Sequence, residues 1–552
     1  MKFRLTLFWV LIIFFCLQTR AQERLLSQTY SYIDLLALDG TAERSFVTYK
    51  TLSDSKWALK KDKNNLWLNN STNRSSKKIK SLIFYGPELY TSYNSATPYG
   101  QNDGLLWQGR GFNTYLSAGL RYEKKGFELT FIPEVTFSEN QRFAFMSPEV
   151  AFTSNTYIGK AQEYGYYGVR FIDAPQRFGD KSFFDFGWGD SEIRYSNKAF
   201  TVGVGTQYLW LGPAKINPIL HSNNAPSYPR FDIGVKPTSI KIGKIDFGKI
   251  EVRLWLGQLA ESKYFDTIPS NDYRLLSGLT VGYSPSFLKG FYVFANRNFL
   301  CPWELVSIFS VGDLFYIPGN IHGGRDVWDQ RASVGFNYLL PSAGFEVYTE
   351  IGLNDYSPGL DGYIRYPFHS MVYTSGMRKS VAFDLFKQPI KGELLLEVSN
   401  FEMSQDFQFQ WSSTFYAHHE IKQGYTNRGQ WLGAGNGTGG NSQYLGFKMF
   451  YPKGNVNVYV HRKNPDNDYI YQYSVGTDIV REPLDKHTHI KDFKAVVASG
   501  INSAYFVQPN IMLYGGICYY IEHNPLYNSI SWSETSKLSS IRLEAGIKFN
   551  FN

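Results

Sequence analysis

SSIRLEAGIKFNFN, residues 539–552, ends the chain. Ile541, Leu543, Ala545, Ile547, Phe549 and Phe551 alternate strictly with Arg542, Glu544, Gly546, Lys548 and Asn550. Successive side chains of a β-strand point to opposite faces, so the apolar set shares one face and the polar set the other. One face needs hydrocarbon or a packed core. The other needs water, ions or sugar hydroxyls.

The same period of two runs through the chain from about residue 81. Leu116, Ala118, Leu120 and Tyr122 alternate with Ser117, Gly119, Arg121 and Glu123, and Lys124-Lys125-Gly126 makes a tight turn. Phe127, Leu129, Phe131, Val135 and Phe137 alternate with Glu128, Thr130, Glu134 and Thr136. Phe345 to Leu353 and Leu445 to Tyr451 repeat the pattern. No fixed blade-length repeat appears, which argues against a propeller. Alternation by itself fits a soluble sandwich as well as a membrane barrel. Three features favour the barrel: strands of ten or more residues, mid-strand charges confined to one face, and a final strand rich in aromatics. About 470 residues at roughly 26 per strand with its connection give about 18 strands, an even number within the range of such barrels. The expected fold is all-β: a transmembrane antiparallel barrel spanning residues 81–552.

Composition agrees. Aromatic residues make up 17% of 552 residues, yet the mean hydropathy is −0.29. Alternating strands reconcile the two. The N-terminus reads as a signal peptide over residues 1–21: Lys2 and Arg4, then an apolar run from Phe8 to Phe15, then Thr19-Arg20-Ala21 as cleavage site. Its removal would take the formal charge from +8 to +5 (8 − 3), too mild for a nucleic-acid binder. Cys301 and Cys518 alone remain, neither a disulfide framework nor a metal cluster. Nothing after residue 22 resembles a transmembrane helix. The expected destination is the outer membrane.

Residues 22–80 form a separate segment, expected to be periplasmic. Leu26, Tyr30, Ile33 and Ala37 follow the helical period, and Asp39-Gly40 supplies a stop. Residues 51–80 carry eight Lys or Arg against Asp54 and Asp62. They read as a solvated loop, or as a basic segment that meets anionic lipid or cell wall.

Several blocks look functional: WQGRG at 107–111, WGDSE at 188–192, LGP at 211–213 followed by SNNAP at 222–226, E-x-G-x-N-D at 350–355, and H-x-x-x-x-GYTN-x-G at 419–429. Taken in order, they resemble the Wzi-like capsule-assembly family of outer-membrane lectins. The resemblance spans the mature chain. It implies a barrel of about 18 strands, an N-terminal periplasmic helical part that helps close it, and attachment of capsular polysaccharide to the cell surface without catalysis; the helical part of this chain is short, a departure from that pattern.

The residue chemistry is compatible. Polysaccharides offer hydroxyl edges to amides and charges, and C–H faces to flat rings. The candidate glycan-binding residues are Trp107, Arg110, Trp210, Asn223, Asn224, Glu350, Asn354, Asp355, His419, Tyr425, Thr426, Asn427 and Arg428. A uronic acid or phosphate would suit Arg110, Arg428 and Arg462. Each residue also has a bland reading: Gly109-Arg110-Gly111 as a packed turn, Trp210 as an interface ring, Asn223-Asn224 as a turn former, and Glu350, Asn354 and Asp355 as a lumen salt network. His418 and His419 would point to opposite faces of a strand and so cannot share a metal. No cofactor is expected. The expected partners are capsular or exopolysaccharide, outer-membrane lipid and the polysaccharide export machinery. The alternative function is a diffusion channel for oligosaccharides.

Overall fold

The computed structural model describes residues 19–59, 65–67, 81–145, 164, 172–306, 328–354, 364, 371–402, 415–418, 420–466, 493–526 and 537–550. Among them, eighteen strands make a closed antiparallel barrel, running from Leu82–Asn94 to Lys537–Phe549. The third and fourth strands are each broken in two, as Phe127–Phe131 with Glu134–Ser138 and as Phe183–Gly187 with Glu192–Ser196. The ring closes where the last strand pairs with the first, from Arg542↔Asn94 to Lys548↔Glu88. No helix among the described residues is long and apolar enough to cross a membrane.

The last strand behaves as its alternation demands. Ile541 and Leu543 are 42% and 47% exposed on the outer face, whereas Arg542 and Lys548 are buried in the lumen. Arg542 donates to Tyr90 Oη and to the Tyr99 carbonyl, both at 2.7 Å. Across the wall, Leu89, Leu116, Ile517 and Leu445 likewise stand outward, while Ser117, Arg121, Glu128 and Glu346 turn inward. A lipid-facing exterior and a polar interior are what a membrane barrel requires. The connections sort by end. Turns such as 125–126, 243–244 and 386–387 lie at one end, and connections such as 95–110, 206–229 and 261–272 lie at the other. Lys125 and Gly126 take φ of 51° and 87°, as a tight two-residue hairpin needs. Short turns mark the periplasmic end of such barrels, and long loops the extracellular end.

The lumen is filled in two layers. At the turn end sits the one α-helix among the described residues, Gln28–Leu38, with the chain that follows it. Ser27 Oγ accepts from Tyr30 N at 3.1 Å as N-cap, and Asp39 and Gly40 end the helix as expected. Leu26 lies outside the helix, at φ 63°, and is exposed. Nine of the eleven helix residues are buried, more than an amphipathic surface helix would hide. Tyr30, Tyr32, Leu35 and Leu36 pack with Trp57, Trp67 and the inward wall residues Phe450, Phe506 and Met512. Ion pairs bind this plug to the wall. Asp34 takes Arg44 at 2.8 Å, Lys215 at 2.7 Å and Arg378 at 3.0 Å. Arg378 also reaches Glu346 at 2.6 Å and Glu393 at 2.7 Å. Burial alone would raise the Asp34 carboxyl, but Arg378, Arg44 and Lys215 hold it well below the usual carboxylate range.

The described part of the basic stretch is not a solvated loop. Asp54 pairs with Arg253 at 2.5 Å, Lys56 reaches Glu123 and Glu128 at 3.2 Å, and Trp67 Nε1 donates to the Tyr451 carbonyl at 2.8 Å. The inward acids of the wall account for this, because Lys56 gains partners there that a solvated loop would lack. Residues 60–64 and 68–80 lie outside the described residues.

The second layer comes from the loop end. Residues 206–229 fold into the lumen, and the pair Trp210–Leu211 forms a two-residue ladder with Tyr49–Lys50 of the plug. Glu397 on the wall accepts the N–H groups of Lys215 (2.7 Å) and Asn217 (2.7 Å). Residues 415–418 and 420–440 cover this loop. Tyr416 Oη donates to the Ile219 carbonyl at 2.6 Å, and Ser222 N to the Leu432 carbonyl at 2.8 Å. One apolar cluster joins Leu209, Leu211, Ile219 and Leu220 to Tyr416, Tyr425, Leu432 and the wall residue Trp255.

Candidate functional site

On the loop end, above the second layer, the chain leaves a cleft of about 250 Å³. Its rings are Tyr99, Trp107, Phe143, Phe145 and Trp431. Its amides are Gln101, Asn102, Gln108, Gln176, Asn224 and Gln430, and its charges are Asp103, Glu522 and Lys494. Seven separated parts of the chain meet there: 97–108, 143–145, 174–176, Asn224, 429–435, Lys494, and Glu522 with Pro525.

Each wall of the cleft is fixed from beneath. Gln101 Nε2 donates to the Ile216 carbonyl at 3.0 Å and to Asn217 Oδ1 at 2.8 Å. Asn102 N donates to Asn224 Oδ1 at 2.7 Å, and Asn224 Nδ2 donates to the Gly433 carbonyl at 2.7 Å. Trp107 packs on Phe178 with centroids 4.7 Å apart, Tyr99 stacks on Tyr520 at 4.4 Å, and Trp431 leans on Tyr416 at 5.9 Å. Such rings are held still before any ligand arrives, so little rotamer entropy is lost on binding. Lys494 and Glu522 pair at 3.2 Å, and Thr97 Oγ1 donates to Glu522 at 2.5 Å. Burial raises the Asp103 carboxyl, which accepts from Gln108 Nε2 at 3.0 Å. The arrangement offers flat apolar faces beside hydrogen-bonding edges, in a half-open groove.

Of the thirteen candidates, Trp107 and Asn224 line the cleft. Asn223 sits just below it, with its carbonyl accepting from Gly104 N at 2.7 Å. Arg110 ties two loops together by donating to the carbonyls of Ser95 (3.2 Å) and Arg142. Trp210 is neither a sugar platform nor an interface ring: it is buried in the lumen, with Nε1 on the Ala214 carbonyl at 3.0 Å and Lys50 Nζ 5.6 Å from its ring. Tyr425, Thr426 and Asn427 are buried too. Tyr425 Oη accepts from Asn298 at 2.5 Å, Thr426 Oγ1 donates to the Gln423 carbonyl at 2.9 Å, and Asn427 bridges Ala260 N and the Pro226 carbonyl at 3.0 Å each. Their polar atoms serve the inward-folded loops, where an unpaired buried group would be costly. Glu350 faces the lumen, fully buried, and Asn354 ends the same strand. Asp355 and His419 lie outside the described residues. His418 Nδ1 accepts from Ile421 N at 3.1 Å. Arg428 is half-exposed beside the cleft, with Asp185 at 2.5 Å.

The segment YGQNDG, residues 99–104, lies outside the blocks that look functional in the sequence, although it too sets a ring beside amides. Gln176, Lys494 and Glu522 carry no local signal, because only the closed barrel brings them together.

The sequence profile of the capsule assembly protein Wzi matches residues 85–498, three quarters of the chain. The chain belongs to the Wzi capsule assembly family. Among solved structures, the Escherichia coli Wzi barrel aligns with a TM-score of 0.63 at 12% identity, covering 96% of this chain and 99% of that one. That protein is described as an outer-membrane protein involved in group 1 capsule assembly and as a carbohydrate-binding β-barrel. At that identity the likeness to Wzi shows a shared fold. OccAB4 of Acinetobacter baumannii aligns at 10% identity and a TM-score of 0.39, over 86% of this chain and 99% of that one. No curated protein matches the chain.

Proposed function

We propose that this protein is a non-enzymatic outer-membrane lectin that holds capsular polysaccharide at the cell surface. The observation that carries the reading is the cleft: preset Trp107, Tyr99 and Trp431 rings beside six amides, at the loop end of a barrel whose lumen is filled. A glycan would lay ring faces on the indoles and turn its hydroxyl edges to Gln101, Asn102, Gln430 and Asn224. Family membership and the carbohydrate-binding description of the Escherichia coli barrel support it. The two buried layers weigh against an oligosaccharide channel. In this reading the chain reaches the outer membrane through an N-terminal signal peptide, the lipid-facing wall anchors it, and the export machinery delivers the polymer from the periplasm. Weak contacts repeated along a polymer suffice for retention, because many barrels grip one chain.

The test is the partition of polysaccharide between cells and medium. Deleting the gene should leave synthesis intact and shift polymer into the medium. Restoring the gene should reverse that shift, and restoring a Trp107→Ala/Trp431→Ala version should not. An unchanged cell-bound fraction in the deletion strain refutes the attachment role.

A further inference from the structure

The barrel wall has a notch on its loop side. The half-strand Phe183–Gly187 pairs with Glu134–Ser138 on one edge and with no strand among the described residues on the other. The strand that should cover it, Phe200–Gly205, stops at the Glu192↔Gly205 pair, where residues 206–229 turn into the lumen. On the far side the wall resumes at Arg230↔Gly257, leaving Leu259 and Ala260 without a ladder partner on that edge, while their other edge pairs with Arg274 and Tyr273. Thr206 N on the Ser191 carbonyl (2.7 Å) and Gln258 N on the Pro229 carbonyl (3.0 Å) mark the floor of the gap.

A small hairpin stops it. Thr426–Asn427 pairs with Gln430–Trp431, and Arg428 and Gly429 turn between them at φ 51° and 80°. Arg428 N donates to the Ala260 carbonyl at 2.8 Å, and Asn427 Oδ1 accepts from Ala260 N at 3.0 Å. The Arg428 side chain reaches the opposite edge, where Nη2 donates to both Asp185 oxygens at 2.5 and 2.6 Å. Its Nε and Nη1 donate to no described residue. The same hairpin supplies Gly429, Gln430 and Trp431 to the cleft. Just outside, Phe184, Phe186 and Trp188 stand on the outer face, Phe184 at 76% exposure.

We propose that the notch is a lateral port to the outer leaflet, and that the ligand of the cleft is a glycan carried on a phosphate-linked lipid. This rests on the glycan reading of the cleft. A free glycan needs only the open loop end, and a continuous wall would serve it. A gap in the wall, stopped by the hairpin that also lines the cleft, serves a ligand whose sugar lies inside and whose acyl chains stay in lipid. Arg428 stands where the joining phosphate would pass, with donors to spare for a charge-assisted contact. The outward rings of Phe184, Phe186 and Trp188 would flank the acyl chains at the interface.

The probe is surface polysaccharide from the producing cell, coupled at its reducing end through a phosphodiester to diacylglycerol and used in detergent micelles, against the same polysaccharide uncoupled. The full-length barrel should bind the lipid-bearing form about tenfold tighter, the worth of one charge-assisted hydrogen bond. Arg428→Glu should cut that advantage to less than about threefold. Equal binding of the two forms overturns the port and leaves the cleft reading standing, as does an undiminished advantage in Arg428→Glu. Binding of neither form overturns the glycan reading and the port with it. A second measurement needs no variant: a photoactivatable group on the acyl chain next to the phosphate should label 183–188 and 426–431 above 511–523 on another face. Even labelling around the barrel overturns the port.

Discussion

Asp34→Asn should loosen the helix without opening the wall. Asp34 sits in a buried cluster of three carboxylates (Asp34, Glu346, Glu393) and three cations (Arg44, Lys215, Arg378). Asparagine keeps the size and one acceptor but leaves three cations against two acids. Removing one partner of a buried ion pair costs about 3–5 kcal/mol, because the other charge stays desolvated. The Lys215 side chain is 20% exposed and recovers some hydration, so the lower end applies. About 3 kcal/mol raises the population with the helix displaced by roughly two orders of magnitude. Hydrogen exchange of the Leu35 to Leu38 amides in the micelle-bound barrel reads that population directly. Wall amides such as those of Leu394 and Leu395 should be unmoved. The second variant is decisive. Asp34→Asn/Lys215→Met leaves Arg44 and Arg378 against Glu346 and Glu393, so it should regain most of the lost protection. Exchange that rises less than about fivefold in the single variant, or a double variant worse than the single one, would refute the claim that charge balance locks the helix.

The wild-type protein should pass little current in planar bilayers; open channels in the intact protein would revive the diffusion-channel reading. Trp431→Ala should weaken binding of the producing cell's polysaccharide by roughly two- to tenfold, the worth of one aromatic contact beyond its buried area, measured by glycan affinity electrophoresis. The buried His221 ring donates Nδ1–H to the Leu209 carbonyl (2.8 Å) and accepts from Tyr228 Oη at Nε2 (2.6 Å), and burial with the nearby Arg230 pushes its pKa down to about 3. An unfolded loop would bind its proton near pH 6.5 and the folded one only near pH 3, so protection of residues 209–228 should fall as pH drops through that window, and His221→Gln should flatten the dependence.

The wall was legible because period two survives every local irregularity. Glu346, Tyr348 and Glu350 read inward from the sequence and lie inward in the barrel. The helix was legible from its spacing and its Asp39-Gly40 stop, but not its burial on nearly every side, since a sequence does not say that a helix lies inside a ring. The cleft was half legible. Trp107 and Asn224 follow the pattern of rings beside amides, and so do Trp210 and Tyr425. Loops folded into a lumen must satisfy their own polar groups, so they use the residue types that sugar sites use. Telling Trp107 from Trp210 requires knowing which loop turns inward. Only the break at Gly205 decides that, and glycine there has several other readings.

The seam from Arg542↔Asn94 to Lys548↔Glu88 is a ladder like the others, and both the end of the last strand at Phe549 and the start of the first at Leu82 lie at the turn end. The ring therefore has no preferred beginning. A chain re-cut at Phe386, whose side chain is 92% exposed in a two-residue turn, with a linker joining 550 to residue 23, would describe the same wall. What such a permutation would move is the tether of the helical segment, which would then hang from the middle of the chain. The wall leaves the site of the cut free, and the stopper inside it is the element that has to stay within reach of the turn end.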